Sequence, residues 1–362
     1  MRVTGDGIWG EPDDPRTCLA VLRRTLELGV NFIDTANSYG PAVSERLITE
    51  ALHPYPRHLV IATKGGLTRP GPNRWVPDCR PEHLRAELDG SLQRLRLQRI
   101  DLYQLHCPDP KVPYAESVGE VARLQREGKI RHVGISNVNV EQLAQARSIL
   151  DVVSVQNRYN LADRGSEPVL RACEQAGIAF IPWGPLARMG AGSQGADPAV
   201  TALAAIAKAR GIVLSQALLA WLLAKSPVML PIPGTSKLAH LEANVAAAGI
   251  VLDADEMRRI GSTFRGTPLV ANMVEGGRTP VLDAKSLQEI GYRLAIFPAV
   301  GFLAMGAVLE RAYAELKATG SSKQLSVPLY EFKKFSALMG FDWVGEFDKK
   351  YRGIEETALG VK

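Results

Sequence analysis

Short β-branched runs that alternate with longer stretches of helical period are the feature that most constrains this chain. They fall at residues 30–34, 59–63, 100–105, 131–135, 152–156, 178–182 and 228–232. Each is bounded by turn formers, which is the pattern of strands joined by helices. Helix ends are legible as well: Asp14-Pro15 opens a helix that Gly29 closes, Gly128 closes another, and Asn139 and Ser215 are placed to cap two more. A β-then-α rhythm repeated this often predicts a parallel sheet. With periods of roughly 25–45 residues and no reversal into hairpins, a closed parallel (β/α)8 TIM barrel fits better than an open doubly wound sheet. Only residues 1–4 stand where the opening strand belongs, so the eighth strand is expected to be a stump.

A chain of 362 residues is longer than one core usually serves, which predicts the barrel plus an α/β appendage. The 46% hydrophobic and 22% charged content excludes a disordered or fibrous class. The net charge of +5 is spread over both parts of the chain and forms no arm for nucleic acid. The four cysteines lie far apart and make no paired motif, so neither a metal site nor a disulfide framework is expected, and a reducing cytoplasmic setting fits. The remaining histidines, His53, His58, His83 and His132, show no metal spacing. The longest uncharged apolar run, residues 294–309, is short and carries Pro298, so no membrane span and no secretion signal are expected.

In a barrel of this kind, chemistry gathers where strands end. Asp34 closes the first run with Tyr39 in the loop after it, Lys64 follows the second, and His106 follows the third. Ser136-Asn137, Gln156 and Trp183 end later runs. The first four form a coherent acid–base set. Hydride arriving at a carbonyl carbon leaves an alkoxide to be protonated, and a free tyrosine with a pKa of about 10 is a sluggish donor near neutrality. A Lys64 ammonium beside Tyr39 is expected to lower that pKa, Asp34 to hold the ammonium, and His106 to hydrogen-bond the substrate oxygen.

Asp34, Tyr39, Lys64 and His106 resemble, in type and strand order, the tetrad of the aldo/keto reductase family. That resemblance implies NADPH, with NAD as the alternative, lying across the barrel mouth without a Rossmann domain, and reduction of a small-molecule aldehyde or ketone to an alcohol. By the same resemblance Ser136, Asn137 and Gln156 hold the nicotinamide carboxamide, and Trp183 replaces the family's usual aromatic that stacks on the ring. Gly184, Pro185 and Leu186 continue that stretch. The segment 232–244 is similar to the family's adenosine-phosphate loop, through Gly234, Thr235, Ser236, Lys237, His240 and Asn244. GAGSQG at 190–195 matches the G-x-G-x-x-G pattern but follows no strand closely, and no acidic residue ends a strand about 20 positions later, so it is expected to be a loop rather than a Rossmann turn.

The chain thus divides at residue 262 into a reductase-like barrel, 1–262, and a tail, 263–362. Residues 264–352 resemble the closing strands and helices of the isocitrate lyase and phosphoenolpyruvate mutase superfamily, with Asn272 and Glu275 at the matched strand end and strands expected at 269–273 and 293–297. The metal-binding and catalytic loops of that superfamily have no counterpart in the tail, so a lyase reading is the weakest of three. A fusion whose tail adds little, or one whose tail covers the edge left by the short first strand, are the two expectations for it. The intact tetrad favours an enzyme; the short opening strand favours an inactive nicotinamide-binding module. The loop at 67–77 shows no polar constellation, and Trp9, Trp75 and Tyr103 stand as either pocket walls or core. The tail's apolar helices suit association into oligomers.

Overall fold

The computed structural model describes residues 3–186, 197–263, 269–273, 275, 281–290 and 292–351. The motif at 190–195 lies outside the described residues. The chain folds as two compact units, residues 1–265 and 266–362.

In the first unit the strands are β1 (Phe32–Asp34), β2 (Val60–Gly65), β3 (Leu67–Gly71), β4 (Arg74–Pro77), β5 (Ile100–Leu105), β6 (Ile130–Ser136), β7 (Val152–Gln156) and β8 (Ala179–Phe180). Six of them form one parallel sheet in the order β1-β2-β5-β6-β7-β8, curled as an arc of a barrel. Each neighbour is the next main strand in the chain, and helices such as Val43–Leu52, Pro81–Leu95 and Tyr114–Arg126 make the crossovers. The caps follow the sequence at several ends. The Asp14 side chain accepts from the Thr17 amide at 3.0 Å, and Asn139 and Gln142 cap the helix Val140–Arg147 reciprocally.

Three expectations need correction. The parallel α/β architecture holds as an arc of a barrel, and residues 3 and 4, where a stump is expected, form a bend; but the run at 228–232, expected as a strand, joins the sheet only through a bridge between Phe180 and Met229. Prolines explain the brevity, because Pro182, Pro231 and Pro233 carry no N–H to extend a ladder on either side of that bridge. Secondly, β3 and β4 make an antiparallel hairpin where no hairpin was expected, with Asn73 turning it at φ +54°. Thirdly, Ser215 lies inside the first turn of the helix Leu214–Lys225 rather than capping it, and the Gln216 side chain accepts from the Val213 amide instead.

The period of two along the strands decides what each face of the sheet carries. Ile33, Ile61, Tyr103 and Leu105 enter the main core beneath the helices, among Leu47, Leu84 and Leu88. On the other face Phe32, Ala62 and Leu102 meet Val153, Ile181 and Ile232 in a small apolar cluster. Two residues further along the same strands, that inner face presents Asp34, Lys64 and Gln104. The inner apolar cluster therefore serves as the floor on which a polar layer stands.

The second unit contains a parallel pair, β9 (Leu269–Asn272) and β10 (Tyr292–Ile296), joined through the helix Ala284–Ile290, with Ala271, Met273 and Leu287 as its core. The strands expected at 269–273 and 293–297 thus coincide with β9 and β10 to within a residue. Helices Val300–Thr319, Phe332–Leu338 and Phe341–Tyr351 follow, and Phe302, Phe332 and Trp343 on them are exposed. Among the described residues no single helix is long and apolar enough to cross a membrane.

Leu88, on the helix Pro81–Leu95, is fully buried in the main core. Leu88→Ala is expected to lower stability by about 2–5 kcal/mol through lost burial and the cavity left behind, read as a drop in the urea midpoint at unchanged slope.

Candidate active site

At the C-terminal end of the sheet the Lys64 ammonium sits completely buried and is held on three sides. Nζ lies 2.6 Å from Asp34 Oδ2, 2.8 Å from the Thr35 carbonyl and 3.4 Å from the Tyr39 hydroxyl. A charge in such surroundings persists only when paired and fully hydrogen-bonded, which this one is. The alternation of β1 and β2 places Asp34 and Lys64 on the same face, and the parallel register sets Asp34 opposite Ala62 and Lys64 opposite Gln104. Asp34 is fixed in turn by the Gln104 and Gln156 side-chain amides, which donate to its Oδ1 at 3.0 and 2.8 Å.

The Tyr39 ring lies edge-on to His106, with centroids 5.9 Å apart, and edge-on to Trp75 at 6.2 Å. Ser38 Oγ is 3.5 Å from His106 Nδ1. The four tetrad residues are therefore brought together from three strand ends and one loop. Burial pushes the Tyr39 phenol above its ordinary value, and the Lys64 ammonium works against that push without overcoming it. The expected lowering of the Tyr39 pKa is thus present as an interaction and absent as a net result, because desolvation is the larger effect. Burial also works against the Lys64 ammonium, but Asp34 and Tyr39 outweigh it and raise its pKa. His106 is held well below the usual histidine value by burial first, then by the Lys64 and Arg69 cations. Near neutrality the set therefore comprises a protonated phenol, a charged ammonium and a neutral imidazole.

The residues expected at the nicotinamide lie beside this set and are bonded to it and to one another. Ser136 Oγ donates to the Gln156 carbonyl at 2.7 Å, Asn137 Nδ2 donates to the His106 carbonyl at 2.9 Å, and Trp183 Nε1 donates to Asn137 Oδ1 at 2.9 Å. Asn137 takes up the left-handed region, φ +59°, to do so. Trp183 is exposed, and Gly184 continues from it in a turn whose carbonyl accepts from Asn160, with Pro185 buried and Leu186 against the core. Gly234, Thr235, Ser236, Lys237, His240 and Asn244 make no hydrogen bond to this cluster among the described residues. There the Lys237 amide donates to Thr235 Oγ1 at 3.1 Å, and the helix Leu238–Ala246 begins without a side-chain cap, leaving its first-turn amides open beside exposed Lys237 and His240.

Several residues at the site were not singled out in the sequence. Arg69, on β3, is 8% exposed, stacks 3.6 Å over the Trp75 ring, and spends its guanidinium on main-chain carbonyls of Gly7, Ile8, Ser38 and Arg74. The loop at 67–77 thus carries a polar constellation after all, invisible because its acceptors are main-chain atoms far away in sequence. Trp75 is a wall of the site and Trp9 flanks Arg69, whereas Tyr103 is wholly buried in the core. Glu87 accepts from Asn37 Nδ2 at 2.6 Å and the Gly66 amide at 2.5 Å, bracing the segments after β1 and β2. Gln104 alone had a sequence signal: its place two residues after Leu102 in a strand puts it on the inner face.

Comparison with known proteins follows the same lines. A profile of the aldo/keto reductase family matches residues 2–263. An uncharacterised oxidoreductase of Schizosaccharomyces pombe is 54% identical over 260 residues, covering 72% of this chain and 83% of that protein. Pyridoxine 4-dehydrogenase of Escherichia coli is 37% identical over 273 residues, covering 73% and 93%. A solved aldo/keto reductase of Klebsiella pneumoniae, in complex with NADP and acetate, superposes with a TM-score of 0.62 at 28% identity, covering 78% of this chain and 94% of that one.

Two outcomes test the electrostatics. Lys64→Met leaves Asp34 buried without its cation and is expected to cost about 3–5 kcal/mol, seen in chemical unfolding; a loss under about 1 kcal/mol would show the pair to be solvent-relaxed. The His106 pKa is depressed from 6.5, so below that pH the unfolded chain binds a proton that the folded chain refuses, and stability falls on acidification. His106→Gln should flatten that acid limb between about pH 7 and pH 5 relative to the unaltered chain, and parallel limbs would contradict the buried neutral imidazole.

Proposed function

Because the chain belongs to the aldo/keto reductase family, we propose that it reduces an aldehyde or ketone to an alcohol with NADPH, Tyr39 supplying the proton. The observation that carries this reading is the buried Lys64 ammonium shared by Asp34 and Tyr39 with neutral His106 alongside. NADPH, when bound, supplies the hydride. Tyr39 gives its proton to the carbonyl oxygen, and the phenolate that results is stabilised by Lys64, which Asp34 keeps charged and in place. Neutral His106 hydrogen-bonds the same oxygen and fixes its position between donor and wall. Trp75 limits that wall on one side.

The residues present fit the cofactor. Exposed Trp183 offers a ring face, and Ser136, Asn137 and Gln156 offer amide and hydroxyl groups beside it. The open first turn of the helix Leu238–Ala246, with Lys237 and His240 beside it, suits a phosphate. NADP rather than NAD is supported by the NADP complex of the Klebsiella relative. For residues 263–362 we infer an appended unit, in which the parallel pair found among the described residues is too small to enclose a second active site.

The test is NADPH oxidation with a reactive aryl aldehyde. Tyr39→Phe should lower kcat by roughly 10²–10⁴-fold while NADPH still binds, as followed by quenching of tryptophan fluorescence. Turnover retained in the variant would remove Tyr39 from the proton step; binding without turnover in either protein would make the chain a nicotinamide-binding module.

A further inference from the structure

Two of the four cysteines, 28 residues apart in sequence, meet behind the active site. Cys79 lies just after the hairpin that carries Trp75, and Cys107 directly follows His106. The two loops are tied together: the Cys79 amide donates to Asp109 Oδ2 at 3.0 Å, and the Cys79 sulfur lies 3.2 Å from the Cys107 carbonyl. Both sulfurs approach one acceptor, the Gly66 carbonyl, at 3.6 and 4.0 Å. Gly66 makes room for them. It sits at φ +101°, and a Cβ there would lie 2.8 Å from the Cys79 sulfur.

The pair is also chemically unequal. Cys79 is wholly buried, whereas Cys107 is partly exposed. A hydrogen bond from the Cys79 thiol holds the Cys107 thiol below its ordinary pKa, against the opposing effects of burial and of the Asp109 and Glu87 carboxylates. Donating that bond raises the Cys79 thiol correspondingly, with burial adding to it. By contrast burial raises Cys18, and pushes Cys173 up to about 12. Thiolate character and exposure together select the sulfur that reacts with an oxidant.

We propose that Cys107 and Cys79 form a reversible, peroxide-driven disulfide that restrains the active site. The Cys107 thiolate attacks one oxygen of hydrogen peroxide; the O–O bond breaks, hydroxide leaves and becomes water, and the sulfur becomes a sulfenic acid. The Cys79 sulfur then attacks the Cys107 sulfur, the S–O bond breaks, and the departing hydroxyl leaves as water with the Cys79 proton. Two thiols are oxidised, one peroxide is reduced, and two waters form. A dithiol reductant reverses the step by exchange. The new bond joins the strand end that places His106 to the hairpin that places Trp75, so neither can shift without the other.

The experiment treats the intact chain with a small excess of hydrogen peroxide and follows thiol labelling, mass and tryptic peptides. The result expected is loss of two free thiols and about 2 Da, with one peptide joining Cys79 to Cys107, reversed by dithiothreitol. In Cys107→Ser, which alters only the partly exposed sulfur, Cys79 should stay reduced under the same treatment. The proposal is overturned if Cys18 or Cys173 is lost first, if no thiol is lost, or if Cys107 passes to sulfinic acid while Cys79 stays free. A second readout, NADPH turnover before and after oxidation, rests on the reductase reading and should fall and recover with the disulfide. An unchanged rate in the cross-linked chain removes the restraint on the site. A chain inactive when reduced fails the reductase reading and leaves the mass result to decide the disulfide by itself.

Discussion

Everything at the mouth of the sheet is arranged around one ammonium group that has no access to water. Lys64 is fully buried, and a lone charge there would be too costly to keep. Its partners must therefore be exact neighbours in the fold: Asp34 from the adjacent strand, the Thr35 carbonyl next to it, and the Tyr39 hydroxyl from the loop beyond. Asp34 in turn engages Gln104 and Gln156, which come from β5 and β7. One desolvated cation thus organises side chains from four strands into a layer, and the apolar cluster of Phe32, Ala62 and Leu102 beneath keeps water from reaching it from below.

The same layer explains why much of this site is legible in the sequence. Asp34, Lys64, His106, Ser136 and Gln156 are polar residues at the ends of otherwise apolar β-branched runs, and in a parallel sheet such ends converge. What sequence does not reveal is a bond whose partner is a main-chain atom far away along the chain. Arg69 in TRPGPNRW looks like a solvated loop residue until Gly7, Ile8 and Ser38 are seen to present carbonyls to it. Glu87 reads as one more helix-face carboxylate until the Gly66 amide turns toward it. The run at 228–232 misleads for the opposite reason: its apolar residues say strand, while Pro231 within it and Pro233 after it withdraw the N–H groups a strand needs.

The electrostatic balance was legible in its parts and not in its sum. The Lys64–Tyr39 interaction follows from residue types, but whether it lowers the phenol pKa depends on how much water the ring has lost, which is a property of packing. The packing around the ring makes burial the larger effect. Tyr39 is therefore loaded with its proton over the neutral range, and Lys64 acts on the product of proton release, the phenolate, more than on its starting form.

The Arg69 clamp carries a different implication, about how such a protein can change over generations. The guanidinium grips backbone carbonyls, which every residue possesses, rather than particular side chains. Residues 7, 8, 38 and 74 are thus free to mutate, so far as this grip is concerned, while the hairpin above the site stays where it is. Substrate range can drift through the side chains lining the wall without loosening the frame that holds them, so the clamp separates the inheritance of shape from the inheritance of selectivity.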